Sequence, residues 1–297
     1  PGFTRRRKPN LLAPYALLIR EAASLRRERY DLAVVFRPDH WWGALLVSLA
    51  GIPLRVGMRT LETTPLLTHA LPPTPGEPAT LTSLQLARLA LAAVGAAAAE
   101  VNTDPSFQVS AASRLAARNL WTRHALDGQP VVGVAPTAGA ALKSWPLGRW
   151  AGLADGLIAA GAAVLLLGGP EDGPLLEAIQ SRMSSTPVAS AWGQSLGLSA
   201  AMYERCALLV GLDGGQAHLA AAVGTPTVRM YGPAPSDVFG PWPRREEQRV
   251  LVTRRLACVP CGHLEAPPCG ATTLPACMLG LEVEDVLNAA RFQLARH

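Results

Sequence analysis

Asp213, Gly214 and Gly215 lie between the apolar run Leu208–Val210 and the alanine-rich stretch Gln216–Val223, which carries His218. A carboxylate, two residues without side chains and an imidazole in that order suit a place where backbone approaches a ligand and polar groups hold it. The glycines allow positive φ and a close backbone approach. A helix opening at Gln216 would aim its free N–H groups and positive dipole end at whatever sits above it, an arrangement suited to phosphate. Gly224 should stop that helix, Thr225-Pro226 should lead out of it, and Thr227–Tyr231 alternates as a strand does. Leu208 to Pro233 therefore reads as strand, glycine turn, helix, glycine stop, strand. An ordinary βαβ unit would show the same glycines; the carboxylate and imidazole added to them point to a ligand site.

Two more loops carry suitable groups. Thr137, Gly139 and Lys143 follow one expected strand, and Gly168-Gly169-Pro170-Glu171 follows another. Lys143 is the only lysine after Lys8. In a Gly/Ala/Thr loop it is a natural point charge for a phosphate, the alternative being a solvated surface lysine. Glu171 or Asp172 would hold a ribose hydroxyl or, the simpler role, cap the following helix. Cys258, Cys261, Cys269 and Cys277 form C-x2-C-x7-C-x7-C. This is near zinc-ribbon spacing, but the second pair is too far apart for a standard knuckle. A structural metal, reversible disulfides and reduced packing cysteines all stay open, while Cys206 should pack in a helix.

These groups need a scaffold. From Val131 on, strands are expected at 131–135, 162–167, 187–191 and 208–210, with helices at 147–160, 171–183 and 196–206 between them. Such β–α repeats with right-handed crossovers make a parallel sheet whose post-strand loops share one edge, where ligands bind. The first part gives a helix over 10–30, a buried strand over 31–36, a helix over 41–50, a short strand over 55–58, a five-proline loop over 65–78 and a long apolar helix over 79–94. That alternation is also α/β. No strand precedes Asp31, so this half is expected to be incomplete or reduced. Residues 119–130 read as a linker, giving domains 1–125 and 126–297, the second with a cysteine-bearing tail and a C-terminal helix.

Composition limits the function classes. In 297 residues, 49% are apolar and 16% charged, enough core for two domains, with Ala and Leu favouring helix–sheet layers. The net charge of +5 comes partly from separated clusters, Arg5-Arg6-Arg7-Lys8, Arg26-Arg27 and Arg244-Arg245, with no interleaved aromatics. Nucleic acid is therefore not the expected partner, and contact with an anionic membrane surface suits these clusters better. No apolar run approaches the ~20 residues of a membrane helix, and no signal-peptide pattern opens the chain. A cytoplasmic protein, with peripheral contact to the inner membrane, is the expectation.

The runs A-P-T-A-G-A-A-L-K-S-W-P-L-G-R-W, L-L-L-G-G-P-E-D and C-A-L-L-V-G-L-D-G-G-Q-A-H-L-A-A-A-V-G-T-P-T-V-R-M-Y-G-P, in this order, resemble glycosyltransferase family 9, the ADP-heptose lipopolysaccharide heptosyltransferases. The cysteine tail followed by E-V-E-D-V-L, and Y-D-L-A-V-V-F-R-P-D-H-W-W-G-A-L-L with P-L-R-V-G-M in the first half, resemble its weaker signatures. The resemblance implies two Rossmann-like domains facing across a cleft (the GT-B arrangement), the N-terminal one incomplete. It also implies an ADP-sugar donor on the C-terminal domain, a lipopolysaccharide-core acceptor, and inverting transfer that is metal-independent and uses no cofactor. Thr137 and Lys143 would then meet the diphosphate, and Asp213, Gly214, Gly215 and His218 the sugar-nucleotide. The base that activates the acceptor would be an Asp in a glycine-bearing loop that falls upstream of Pro1; within the chain, Asp39 is the nearest, poorly matching substitute. Gly214 departs from the family's usual Ser or Thr. The alternative is a nucleotide-sugar-binding protein with a reduced acceptor domain and impaired catalysis.

Overall fold

A computed structural model describes residues 12–38, 40–100, 102–186, 189–253 and 256–296. The chain divides into two compact units, Pro1–Asn102 and Thr103–His297.

In the first unit, α1 (Ala13–Glu28) is followed by β1 (Leu32–Val35), α2 (Trp41–Leu49), β2 (Leu54–Met58), β3 (His69–Leu71) and α3 (Ala79–Ala93). The three strands are parallel in the order β1-β2-β3. Pro14 sits in the first turn of α1, where its missing N–H costs nothing. Ala22 of α1 packs with Ala50 and Ile52 in one small core, while Val56 and Met58 pack with Leu86 and Ala90 of α3 in another. β3 lies inside the segment expected to be a proline loop. The stretch Leu66–Leu71 is free of proline, so its backbone can pair with β2 from Val56↔His69 to Met58↔Leu71.

The second unit contains α4 (Ala111–Arg123), β4 (Val131–Ala135), α5 (Leu147–Ala159), β5 (Ala163–Gly168), α6 (Gly173–Gln180), β6 (Ala189–Trp192), α7 (Leu196–Arg205), β7 (Leu208–Leu212), α8 (Gly215–Ala222), β8 (Thr227–Tyr231), α9 (Ser236–Phe239), β9 (Gln248–Val252), α10 (Ala276–Leu279) and α11 (Val283–Leu294). All six strands run parallel, in the order β6-β5-β4-β7-β8-β9. Counted from the unit's first strand this is 3-2-1-4-5-6, the doubly wound order. The strands are near-continuous apolar runs because helices cover both faces. Val132, Val134, Leu166 and Val210 turn to α5, α6 and α11, whereas Val131, Ala135, Leu165 and Leu209 turn to α4, α7 and α8. The strand alternation of period two thus feeds two separate cores.

The division between units falls before α4, not at residues 125–126. Residues 119–123 of the expected linker are the end of this helix, and only 124–130 connect it to β4. Ser110 caps α4 by accepting from the Ser113 N–H, Ala117 and Trp121 are buried with Ala200 and Ala201 of α7, and Arg114 pairs with Glu204 at 2.8 Å. The helix belongs to the second unit because its apolar face covers that unit's sheet. β9 was also not evident in the sequence; it forms an edge of the sheet beside β8, with Thr227↔Gln248 in register.

Candidate functional site

In a 3-2-1-4-5-6 sheet the crossovers leave the first and fourth strands in opposite directions, opening a crevice at their carboxyl ends. Here those strands are β4 and β7, paired through Ala135↔Gly211. Lys143 comes from a short 3₁₀ turn in the loop after β4, and Asp213 directly follows β7. They meet across the crevice: Lys143 Nζ donates to Asp213 Oδ2 at 2.5 Å and lies 3.3 Å from the Asp213 main-chain oxygen. The Asp213 side chain is 6% exposed and that of Lys143 16%, so the ion pair is held in a poorly solvated place.

The other expected residues gather round this pair. His218 Nε2 is 4.0 Å from Asp213 Oδ1. Thr137 is tied to the start of α8, its hydroxyl accepting from Gln216 Nε2 at 3.1 Å, while the buried Gln216 Oε1 has no protein partner among the described residues. Nothing lies within 4 Å of where a side chain on Gly215 would begin, so the first turn of α8 faces open space. Neither Gly214 nor Gly215 uses positive φ: Gly214 is extended, at φ −164°. What the pair of glycines provides is bareness, not unusual backbone. Gly224 does use it, at φ +89°, and ends α8 with Thr225 N–H bonded to Ala220 O and Gly224 N–H to Ala221 O.

Because Gly214 is the N-cap of α8 in a conformation open to any residue, a hydroxyl fits there. A Cβ would sit 3.4 Å from the Thr137 carbonyl oxygen, an ordinary contact. Gly214→Ser should fold normally and gain a few tenths of a kcal/mol from N-capping, read as a small rise in melting temperature. A loss of more than about 1 kcal/mol would show that the loop after β4 cannot accommodate the side chain.

Two groups at the site, Arg229 and Tyr231, are not evident from the motifs. Arg229, in the middle of β8, is fully buried; Nε donates to the Thr227 hydroxyl at 2.9 Å, Nη2 to Gln248 Oε1 at 3.0 Å, and Nη1 lies 3.3 Å from His218 Nδ1. Burial lowers the guanidinium's pKa from its ordinary value, opposed by Tyr231 and Asp213, but an arginine stays charged in a protein. Tyr231 is buried too, its hydroxyl donating to Phe239 O at 2.9 Å; burial and the Asp213 charge push its phenol up. The sequence carries little signal of this, because T-V-R-M-Y alternates as a half-solvated strand does and charged residues are almost never fully buried unless partnered. Lys143 and Arg229 thus set two cations against the one carboxylate of Asp213. A site with that imbalance, beside a helix N-terminus, is built to accept an anion.

The remaining expected residues lie elsewhere or do not assemble. Asp172 does not cap α6 with its side chain; Oδ2 turns back to accept from the Gly169 N–H at 2.6 Å and so shapes the glycine loop. Asp39 lies outside the described residues. Cys258 and Cys269 are exposed, Cys261 is half-buried and Cys277 is buried, and all are free thiols. Among the described residues no group of three or more His, Cys, Asp or Glu is placed to hold a metal ion. Burial pushes the Cys277 thiol up, as do nearby Cys261 and Cys258, and burial pushes Cys206 up to about 12. The thiolate is the nucleophile, so a short iodoacetamide pulse should alkylate Cys258, Cys261 and Cys269 and spare Cys206 and Cys277 until the protein unfolds. Equal labelling of Cys277 and Cys269, read by peptide mass spectrometry, would contradict the buried setting of Cys277. No helix of the described residues is long and apolar enough to cross a membrane.

Residues 18–266 match the profile of glycosyltransferase family 9 (heptosyltransferase). The chain is 28% identical to lipopolysaccharide heptosyltransferase 3 of Escherichia coli over 73% of its own length and 64% of that protein's. It is also 28% identical to lipopolysaccharide heptosyltransferase 2 of E. coli K12, over 77% of its own length and 68% of the relative's. It therefore spans about two thirds of each relative. In fold it is similar to the E. coli ADP-heptose lipopolysaccharide heptosyltransferase II, with a TM-score of 0.69 at 24% identity, covering 95% of this chain and 82% of the other. It is similar, too, to an E. coli heptosyltransferase solved with ADP, with a TM-score of 0.61 at 17% identity, covering 94% and 78%. The family profile spans most of the chain, from α1 to the cysteine tail, and the chain belongs to glycosyltransferase family 9, the heptosyltransferases.

Proposed function

We propose that the second unit binds the diphosphate of an ADP-sugar in the crevice between β4 and β7, and that the protein transfers heptose from that donor to a lipopolysaccharide-core acceptor. One observation carries the reading: Lys143 and Asp213 close across the switch point of a doubly wound sheet, with Arg229 buried behind them and the first turn of α8 open beside them. The names of the similar proteins supply the heptose, the lipopolysaccharide and the adenine nucleotide.

Transfer with inversion makes one bond and breaks one. The acceptor hydroxyl attacks the anomeric carbon, the bond from that carbon to the diphosphate oxygen breaks, and the diphosphate leaves with the electron pair. The charge that grows on it needs fixed cations and N–H dipoles in place beforehand. Lys143, the field of Arg229 and the first N–H groups of α8 meet that need without a metal ion. The acceptor's proton goes to a general base, which this reading assigns to the acceptor-binding side and not to the second unit.

Isothermal titration with ADP, GDP and UDP, then with ADP-heptose and other ADP-sugars, tests the proposal. ADP should bind, and ADP-heptose should bind more tightly than the other ADP-sugars. Binding of none of the diphosphates, or a preference for UDP, would overturn it.

A further inference from the structure

We infer that Arg229 is a positioning residue that fixes the imidazole of His218 in the Nε2–H form, so that His218 meets the donor as a neutral hydrogen-bond donor and neither as a base nor as a cation. The inference rests on the reading that this sheet edge receives a nucleoside diphosphate, but the tautomer itself is a property of the free protein.

A guanidinium carries donors and no acceptor. Arg229 Nη1 stands 3.3 Å from His218 Nδ1, so Nδ1 must be the acceptor and cannot carry the proton. In neutral imidazole the hydrogen then sits on Nε2. Arg229 is not free to turn away, because Nε and Nη2 are held by Thr227 and Gln248, and Gln248 Nε2 is held in turn by the Thr225 carbonyl at 3.2 Å. The chain of contacts runs from edge strand β9 through β8 to the mouth of the site.

Nε2 faces the crevice. It lies 4.0 Å from Asp213 Oδ1, too far for a hydrogen bond, and the His218 side chain is 48% exposed, so a ligand can reach it. The groups that act on the ring are Arg229 from β8, Asp213 from the end of β7 and Lys143 from the loop after β4. Partial burial lowers the pKa first, the Arg229 and Lys143 charges lower it further, and Asp213 opposes them. Burial and both cations thus favour the neutral ring, and protonating it would break the contact with Arg229. An Nε2–H placed beside Lys143 and the start of α8 adds a donor for a phosphate or sugar oxygen, and it leaves no free nitrogen lone pair to take a proton from an acceptor.

Protein labelled with ¹⁵N in its histidines tests this without any ligand, the His218 ring being assigned with the His218→Gln variant. In the wild type at pH 8 the ring should favour Nε2–H by about tenfold or more, the preference set by a charge-assisted hydrogen bond to Nδ1. Its titration midpoint should lie below the ordinary 6.5. Arg229→Met should let the ratio fall toward the weaker intrinsic preference of imidazole and let the midpoint rise; Arg229→Lys, which keeps a cationic donor, should hold both nearer the wild type. A merely structural arginine would change stability in these variants and leave the tautomer ratio of folded protein unmoved. An Nδ1–H ring in the wild type, which needs no variant to fold, or an unchanged ratio in folded Arg229→Met, would overturn the inference. ADP titration separates it from the functional reading: failure of wild-type protein to bind ADP, with the Nε2–H form present, sinks the donor site and leaves the tautomer assignment standing.

Discussion

Replacing Asp213 by alanine should destabilise the second unit by about 3–5 kcal/mol, the cost of leaving a buried charge without its partner. Asp213 is 6% exposed and is the carboxylate set against both Lys143 and Arg229. Lys143 is bonded to it at 2.5 Å, and among the described residues Arg229 has only neutral acceptors within hydrogen-bond reach. In the variant, two cations would face each other in a poorly solvated pocket, a more costly state than losing one exposed ion pair. For a unit of this size the midpoint of thermal unfolding should fall by on the order of 10 °C. Adding Lys143→Ala to Asp213→Ala should recover part of the loss, since one uncompensated charge is then removed; residues in contact give interaction energies of this kind in a double-mutant cycle. A loss below about 1 kcal/mol for Asp213→Ala in urea titration would mean that water reaches Lys143 freely and that the pair behaves as a surface pair.

The same residues show what a sequence can and cannot disclose. The strands of the second unit were legible because β4, β5 and β7 are short apolar runs ended by glycine or by a polar turn, and burial on both faces demands such runs. Lys143, Thr137, Asp213 and His218 were legible because loops after parallel strands share an edge, which local order alone implies. Strand order was not: only the pairing of β4 with β7 shows that Lys143 and Asp213 close on the switch point. Arg229 stayed hidden because alternation in T-V-R-M-Y suggests a strand with one solvated face, and β9, which completes its surroundings, has the weakly apolar sequence Q-R-V-L-V. α4 was missed for a different reason. Its exposed Arg114 and Arg118 hide a narrow apolar stripe of Ala117 and Trp121, so the composition resembles a linker although the packing is that of a core helix. In the first unit, prolines on both sides of β3 masked three residues that pair within a gap free of them.

Lys143→Ala should weaken ADP binding by about 1.5–3 kcal/mol, roughly ten- to hundredfold, the size of a charge-assisted hydrogen bond. The effect has two parts. The ammonium that would meet the diphosphate is gone, and the Asp213 carboxylate it neutralised is left facing the incoming anion. Asp213→Asn separates them. Alone, it frees Lys143 from its partner, so ADP affinity should hold or rise even as stability falls; stability and affinity then move in opposite directions at one residue. Combined with Lys143→Ala, it should restore part of the lost affinity by removing the repelling charge, while the ammonium's own share stays lost. ADP-heptose compared with ADP adds a further division. If Asp213 also accepts from a sugar hydroxyl, Asp213→Asn should cost affinity for the sugar-nucleotide and not for ADP. Calorimetry on the four proteins, wild type, each single variant and the double, gives all of these terms under one condition of salt, which must be held fixed because exposed parts of the field are screened. ADP affinity unchanged by Lys143→Ala would place the diphosphate away from the crevice between β4 and β7.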